Sequence, residues 1–157
     1  MKTAKLLAHL RELAPPHLAA EWDNVGLLVG SADGQVKRVM TCLTLTEDVM
    51  EEAIEEQVDL IVSHHPLMFR PTKRITDQNV EGRILLGLIG AGVRVYLPHT
   101  SYDSAHEGIN QQLAASLRLK EIEPLRSGSP DDADEGSGRV GDLARRMSLR
   151  DLVDRLK

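Results

Sequence analysis

The stretch V58-D-L-I-V-S-H-H-P66 decides how the chain folds. Its first six residues form a short apolar run, rich in β-branched side chains, that reads as a buried strand. Histidines and a proline follow at once, so the strand ends in a polar loop. The same grammar recurs at V93-R-V-Y-L97, followed by P98-H-T-S-Y-D103. Between the two strands lies G82-R-I-L-L-G-L-I-G-A-G92, a helical pattern closing on glycine. Upstream, Val36 to Leu45 reads as a further strand. Thr46, Glu47 and Asp48 open a helix that runs to about Glu56, with acidic residues where the helix dipole favours them. Strand, helix, strand, helix, strand in this rhythm predicts an α/β fold, a layered sheet with parallel βαβ crossovers covered by helices.

Outward from this centre the signals are simpler. Leu6, Leu7, Leu10 and Leu13 fall at helical spacing, and Pro15 and Pro16 end the pattern, giving an amphipathic first helix whose apolar face belongs to the core. A19-A-E-W-D-N-V-G-L-L-V-G30 reads as a loop leading into a short strand. Trp22 is assigned to the core, and Asp23 and Asn24 order the loop backbone as readily as they touch a ligand. A third helix is expected from about His106 to Leu117, with His106 on its exposed first turn. His9 and His17 are placed on the surface, and Cys42 as a small buried residue in its strand.

From residue 127 to 139 the sequence S-G-S-P-D-D-A-D-E-G-S-G-R has the composition of a linker or mobile loop. The expected organisation is an α/β unit over 1–126, that linker, and the start of a second unit over 140–157, with Ser148 capping a final helix.

Bulk properties narrow the function. A formal net charge of -5 disfavours a nucleic-acid binder that works by phosphate neutralisation. An aromatic content of 3% argues against stacking platforms for bases or sugars. One cysteine allows neither a disulfide framework nor a thiolate zinc site, and fits a reducing compartment. No signal peptide is evident and no run approaches the roughly 18 apolar residues of a membrane span, so a cytoplasmic location and no membrane partner are expected.

In parallel α/β sheets ligands collect outside the carboxyl ends of the strands. His64 and His65 lie there after one strand, His99 and Asp103 after the next. Adjacent histidines point apart if they continue a strand, so the pair suits two different metals, and Pro66 holds His65 extended. Asp103 adds an oxygen donor, and the mixture suits zinc, iron or manganese. His99 is placed as a proton shuttle or a group behind the ligands. The plainer alternatives stay open at this point: a histidine pair in a hydrogen-bonded loop, and Asp103 as a helix cap or turn residue.

Three blocks, EWDNVGLLVG at 21–30, LIVSHHPLMF at 60–69 and LPHTSYDSAHEGINQQLA at 97–114, together resemble the NIF-three-like family, also described as homologues of a type 2 GTP cyclohydrolase I. The resemblance covers about residues 1–125. It implies two related α/β domains around a dinuclear metal centre, assembled as a homohexamer, with His64, His65 and Asp103 as metal ligands. The family completes that site with an H-x-x-x-E segment from a second half, whereas no histidine follows His106 here. The second domain is therefore expected to be truncated, and metal to be weak, partial or absent, up to two ions per site. The implied function is that of a metal-dependent hydrolase acting on a small molecule such as a nucleotide, with Arg70 or Lys73 approaching a phosphate. A non-enzymatic metal-binding or interaction protein, or an inactive truncated member, is the alternative. Homo-oligomerisation is expected in either case.

Overall fold

The computed structural model describes residues 1–128 and 134–156. Its centre is a four-stranded sheet in the order β1-β4-β3-β2, built from β1 (Gly26–Val29), β2 (Val39–Cys42), β3 (Leu60–Ser63) and β4 (Arg94–Leu97). The pairs β2–β3 and β3–β4 are parallel, as the alternating pattern of strands and helices requires. The edge strand β1 runs antiparallel to β4, pairing Gly26 with Leu97. This reversal brings the residues just before β1 to the carboxyl edge of the other three strands.

The crossovers are α2 (Glu47–Glu55) and α3 (Val80–Ala91), and α1 (Thr3–Leu13) precedes the sheet. Thr46 caps α2 by accepting from the Val49 amide, and Asn79 caps α3 by accepting from the Gly82 amide. Helix α3 stops at Gly92, whose φ of 71° is the left-handed turn that glycine takes without strain.

Alternation along the strands divides the core between two faces. Ile61 and Val95 point to one side, against Ala53 of α2 and Ile84, Leu85 and Leu88 of α3. Leu60 and Tyr96 point to the other, where Leu7 of α1 covers them. Each such fully buried aliphatic side chain contributes about 1.5–3 kcal/mol, which makes these two layers the main support of the carboxyl edge.

After β4 the expected third helix is present but starts later, at Ile109, and a short additional helix precedes it. The chain forms α4 (His99–Ser104), turns, and begins α5 (Ile109–Ser116). Gly108 lies so close to the Tyr102 carbonyl that a Cβ would collide with it, so the break fits only glycine at this point. His106 consequently sits in the turn between the helices and not on a helical first turn, and it remains exposed.

The remaining chain forms β5 (Leu119–Glu123), β6 (Arg126–Ser127), β7 (Gly136–Ser137), β8 (Val140–Leu143) and α6 (Leu149–Leu156). β5 pairs with β8, and β6 with β7, both antiparallel. Residues 129–133 of the segment read as a linker lie outside the described residues, as does Lys157; the flanks of that segment pair with each other. Arg139 fastens this part to the α4–α5 turn through hydrogen bonds to the Ala105 carbonyl at 3.0 Å and to Gln111 at 2.8 Å. Ser148 caps α6 by accepting from the Asp151 amide. No described helix is long and apolar enough to cross a membrane.

Candidate functional site

Loops and helix starts converge at the carboxyl edge of the parallel strands, and each brings a polar side chain. β3 delivers His64 and His65, whose amides donate to the Cys42 and Leu43 carbonyls and so continue the sheet bonding past Ser63. The imidazoles do not splay to opposite sides as a continued strand would require: β3 ends at Ser63, and the two rings lie in contact, centroids 5.3 Å apart with planes inclined at 53°. His64 turns towards Asp103, with Nε2 to Oδ1 at 3.6 Å, while His65 Nδ1 meets the Thr44 hydroxyl at 2.7 Å. Helix α4 supplies both His99 and Asp103 one turn apart, so these two project from a helix and not from the loop expected after VRVYL.

His99 belongs to a second, tighter arrangement. Its Nδ1 lies 2.9 Å from both carboxylate oxygens of Asp23. Asp23 also accepts from the Asn24 amide at 2.8 Å, the Thr100 amide at 3.2 Å and the Thr100 hydroxyl. The side chain of Asp23 is 1% exposed. Burial alone would push its carboxyl up, but hydrogen bonds from the Thr100 hydroxyl, His99 and the two amides outweigh it and hold the group below the usual carboxylate range. An ionised carboxylate accepts only, so Nδ1 of His99 carries the proton of this hydrogen bond, and Nε2 is not engaged by Asp23. His99 has a φ of 31°, a strained value for a residue with a Cβ, and the bond to Asp23 helps to hold it there.

His64 differs in kind. Burial pushes its pKa down, and the nearby His99 and His65 add to that; the Asp103 and Asp23 carboxylates oppose it without prevailing. The ring is held neutral, as metal ligation requires. Its Nδ1 is buried with no hydrogen-bond partner. An unpaired buried nitrogen costs about 1–3 kcal/mol, which the fold does not recover from any described residue. Among the described residues, no three His, Cys, Asp or Glu side chains are gathered closely enough to hold a metal ion as they stand. The donor types suit a divalent ion, and the pairing of His64 Nε2 with the partly exposed Asp103 carboxylate, too long at 3.6 Å for a hydrogen bond, is the feature that fits one. His65 remains compatible: with its Nδ1–H donating to Thr44, Nε2 is left as a lone pair.

Several site residues escaped sequence reasoning. Asp23 is 76 residues from His99, and only the antiparallel direction of β1 brings them together. A strand direction is not encoded in a four-residue apolar run. Thr44 was hidden in a stretch read as strand, because β2 ends earlier, at Cys42. Trp22, assigned to the core, is 62% exposed, and its ring lies 5.6 Å from that of Phe69, itself 59% exposed. Low aromatic content therefore does not preclude a local aromatic surface: composition counts rings and is blind to their clustering. Arg70 lies beside this pair, lining the same cavity of about 350 Å³. Cys42 is half-buried in β2, where burial pushes its thiol up and a bond with Ser63 partly offsets that.

The fold and this edge define a class: a mixed α/β protein with a histidine and carboxylate cluster outside the carboxyl ends of its parallel strands. Residues 1–157 match the model of Duf34/NIF3 (NGG1p interacting factor 3), and the chain belongs to that family. It is 34% identical over its whole length to a GTP cyclohydrolase 1 type 2 homolog of Clostridium acetobutylicum, of which it covers 59%. It is 42% identical over 142 residues to NIF3-like protein 1 of Bos taurus, covering 38% of that protein. Among solved structures, the hypothetical protein SA1388 of Staphylococcus aureus superposes with a TM-score of 0.88 at 28% identity, over 99% of this chain and 63% of that one. Reduced HcgD from Methanocaldococcus jannaschii gives 0.85 at 30% identity, over 99% and 58%. The chain thus spans between about two fifths and three fifths of the length of these two curated relatives.

Proposed function

We propose that the carboxyl edge binds divalent metal through His64, His65 and Asp103 and serves hydrolysis of a phosphate-bearing small molecule, of which a nucleotide is the leading case. The observation that carries this reading is the open pair of His64 Nε2 and Asp103 Oδ1, 3.6 Å apart, with the His65 ring in contact with that of His64. Zinc, iron or manganese suits these donors, up to two ions. When bound, such an ion supplies Lewis acidity and activates water near neutral pH. The chain's own residues have separable tasks. Thr44 fixes the orientation of His65 by its hydrogen bond. His99, with Nδ1–H committed to Asp23, presents Nε2 as an acceptor for a proton of the substrate or of water. Arg70 and Lys73, on the loop after His65, offer cations to a phosphate. The name of the clostridial relative, which refers to a nucleotide cyclohydrolase, agrees with the substrate class and bears on no step of the reaction.

Consumption of substrate and appearance of any hydrolysis product, free phosphate included, across a panel of nucleotides and phosphomonoesters, with and without added zinc, manganese or iron, tests this. Turnover that needs metal and is lost in His65→Ala is expected; none on any substrate with metal bound would refute the hydrolytic part. A second reading starts from the incomplete donor set: no described group of three is gathered around an ion, and donors from a second copy of the chain would complete it. In that reading the metal is structural and holds a homo-oligomer. Dissociation of the assembly on chelation, without turnover, would select it.

A further inference from the structure

The sequence has one tryptophan and one phenylalanine, and the fold places both rings in contact at the rim of the site and leaves both mostly in water. We propose that Trp22, Phe69 and Arg70 form a recognition subsite for a planar heteroaromatic ring that carries an anionic group. Burying a large side chain relative to leaving it exposed is worth about 1.5–3 kcal/mol, and both rings forgo most of that gain here. Two such rings side by side around a cavity of about 350 Å³ are a surface to be covered.

Three features select the occupant. The ring centroids of Trp22 and Phe69 are 5.6 Å apart and their planes inclined by 53°, so each ring touches the other with part of its surface and keeps most of it free for stacking. Arg70 lines the same cavity, is exposed and has no ion pair among the described residues, which suits a phosphate or carboxylate. Asn24 lines it too, and its side-chain amide makes no hydrogen bond among the described residues, leaving a donor and an acceptor to read a ring edge.

The platform is also held firm and well placed. Trp22 immediately precedes Asp23, whose carboxylate is fixed by His99 and Thr100, and the Asp23 amide donates to the Ala20 carbonyl at 2.8 Å. Phe69 lies four residues beyond His65, with Pro71 limiting the loop after it. The Trp22 ring lies 6.1 Å from His99 in an edge-on arrangement. The platform thus adjoins His99. The inference deepens the proposed function and rests on it only in taking this edge as the place where such a molecule is acted on.

Because Trp22 is the single tryptophan, its fluorescence reports this site directly. The 157-residue chain is titrated with adenosine monophosphate, adenosine and ribose phosphate, all in the presence of a metal chelator. Saturable quenching by adenosine monophosphate, weaker quenching by adenosine and none by ribose phosphate are expected. Phe69→Ala should weaken the nucleotide about 5- to 100-fold, as loss of a stacking partner does, and Phe69→Tyr should restore it. Arg70→Ala should bring the nucleotide to the affinity of adenosine and leave adenosine unchanged. Equal quenching by ribose phosphate, no saturable quenching by the nucleotide, quenching that requires metal, or indifference to Phe69→Ala would each overturn the proposal. Ring-dependent quenching in a chain that binds no metal would sink the metal reading alone, and bound metal without such quenching would sink this one alone.

Discussion

Two imidazole–carboxylate pairs stand at the same edge of the sheet, and they are built differently. His99 and Asp23 are closed on each other: 2.9 Å apart, with a carboxylate 1% exposed and donors from Thr100 and Asn24 filling its remaining sites. His64 and Asp103 are open: 3.6 Å apart, the carboxylate 27% exposed and one imidazole nitrogen without a partner. The same two residue types thus form a strut in one place and a loose, incompletely hydrogen-bonded pair in the other. What separates them is whether the fold provides enough donors to saturate the carboxylate.

The largest expected effect falls on the closed pair. Asp23→Ala leaves His99 and the Thr100 amide without their acceptor and should lower unfolding free energy in urea by about 2–4 kcal/mol. Asp103→Ala, removing a carboxylate with one distant partner, should cost less than about 1 kcal/mol. Similar losses for the two would erase the distinction.

A smaller effect is expected around His65. Thr44→Val removes the hydroxyl that orients it and should weaken metal binding about 10-fold with little change in stability, as loss of such supporting bonds does elsewhere. Unchanged affinity in a calorimetric titration would show that Thr44 does not orient a ligand.

Acid titration sharpens the contrast further, through two groups whose folded pKa values lie below their unfolded ones. For each, the stabilisation is fully present above the unfolded pKa and is lost as pH falls through the folded value. His64, with a reference value of 6.5, should make stability decline as pH drops below that point, and His64→Gln should flatten this part of the curve. Asp23, with a reference of 3.8, acts only in stronger acid, and Asp23→Asn should flatten that part. A decline below neutrality that persists unchanged in His64→Gln would locate it elsewhere.

Much of the fold was legible because its signals are local. The runs at 58–63 and 93–97, with capped helical patterns before and between them, specify parallel crossovers, and these alone put His64, His65, His99 and Asp103 on one edge. What stayed hidden depends on contacts distant in sequence. The pairing of Asp23 with His99 follows from β1 running antiparallel, and the contact of Trp22 with Phe69 spans 46 intervening positions. The break between α4 and α5 turns on the close approach of Gly108 to a carbonyl, which no periodicity displays.

The central claim is that the open pair and His65 hold metal. Elemental analysis of protein purified without added metal or chelator, beside a His64→Ala/His65→Ala double variant and Asp23→Asn, tests it most directly. The account predicts a measurable content of zinc, iron or manganese in the parent, partial and at most about two equivalents, a smaller amount in Asp23→Asn, and none in the double variant. No metal in the parent after incubation with these ions, or equal metal in parent and double variant, would contradict it.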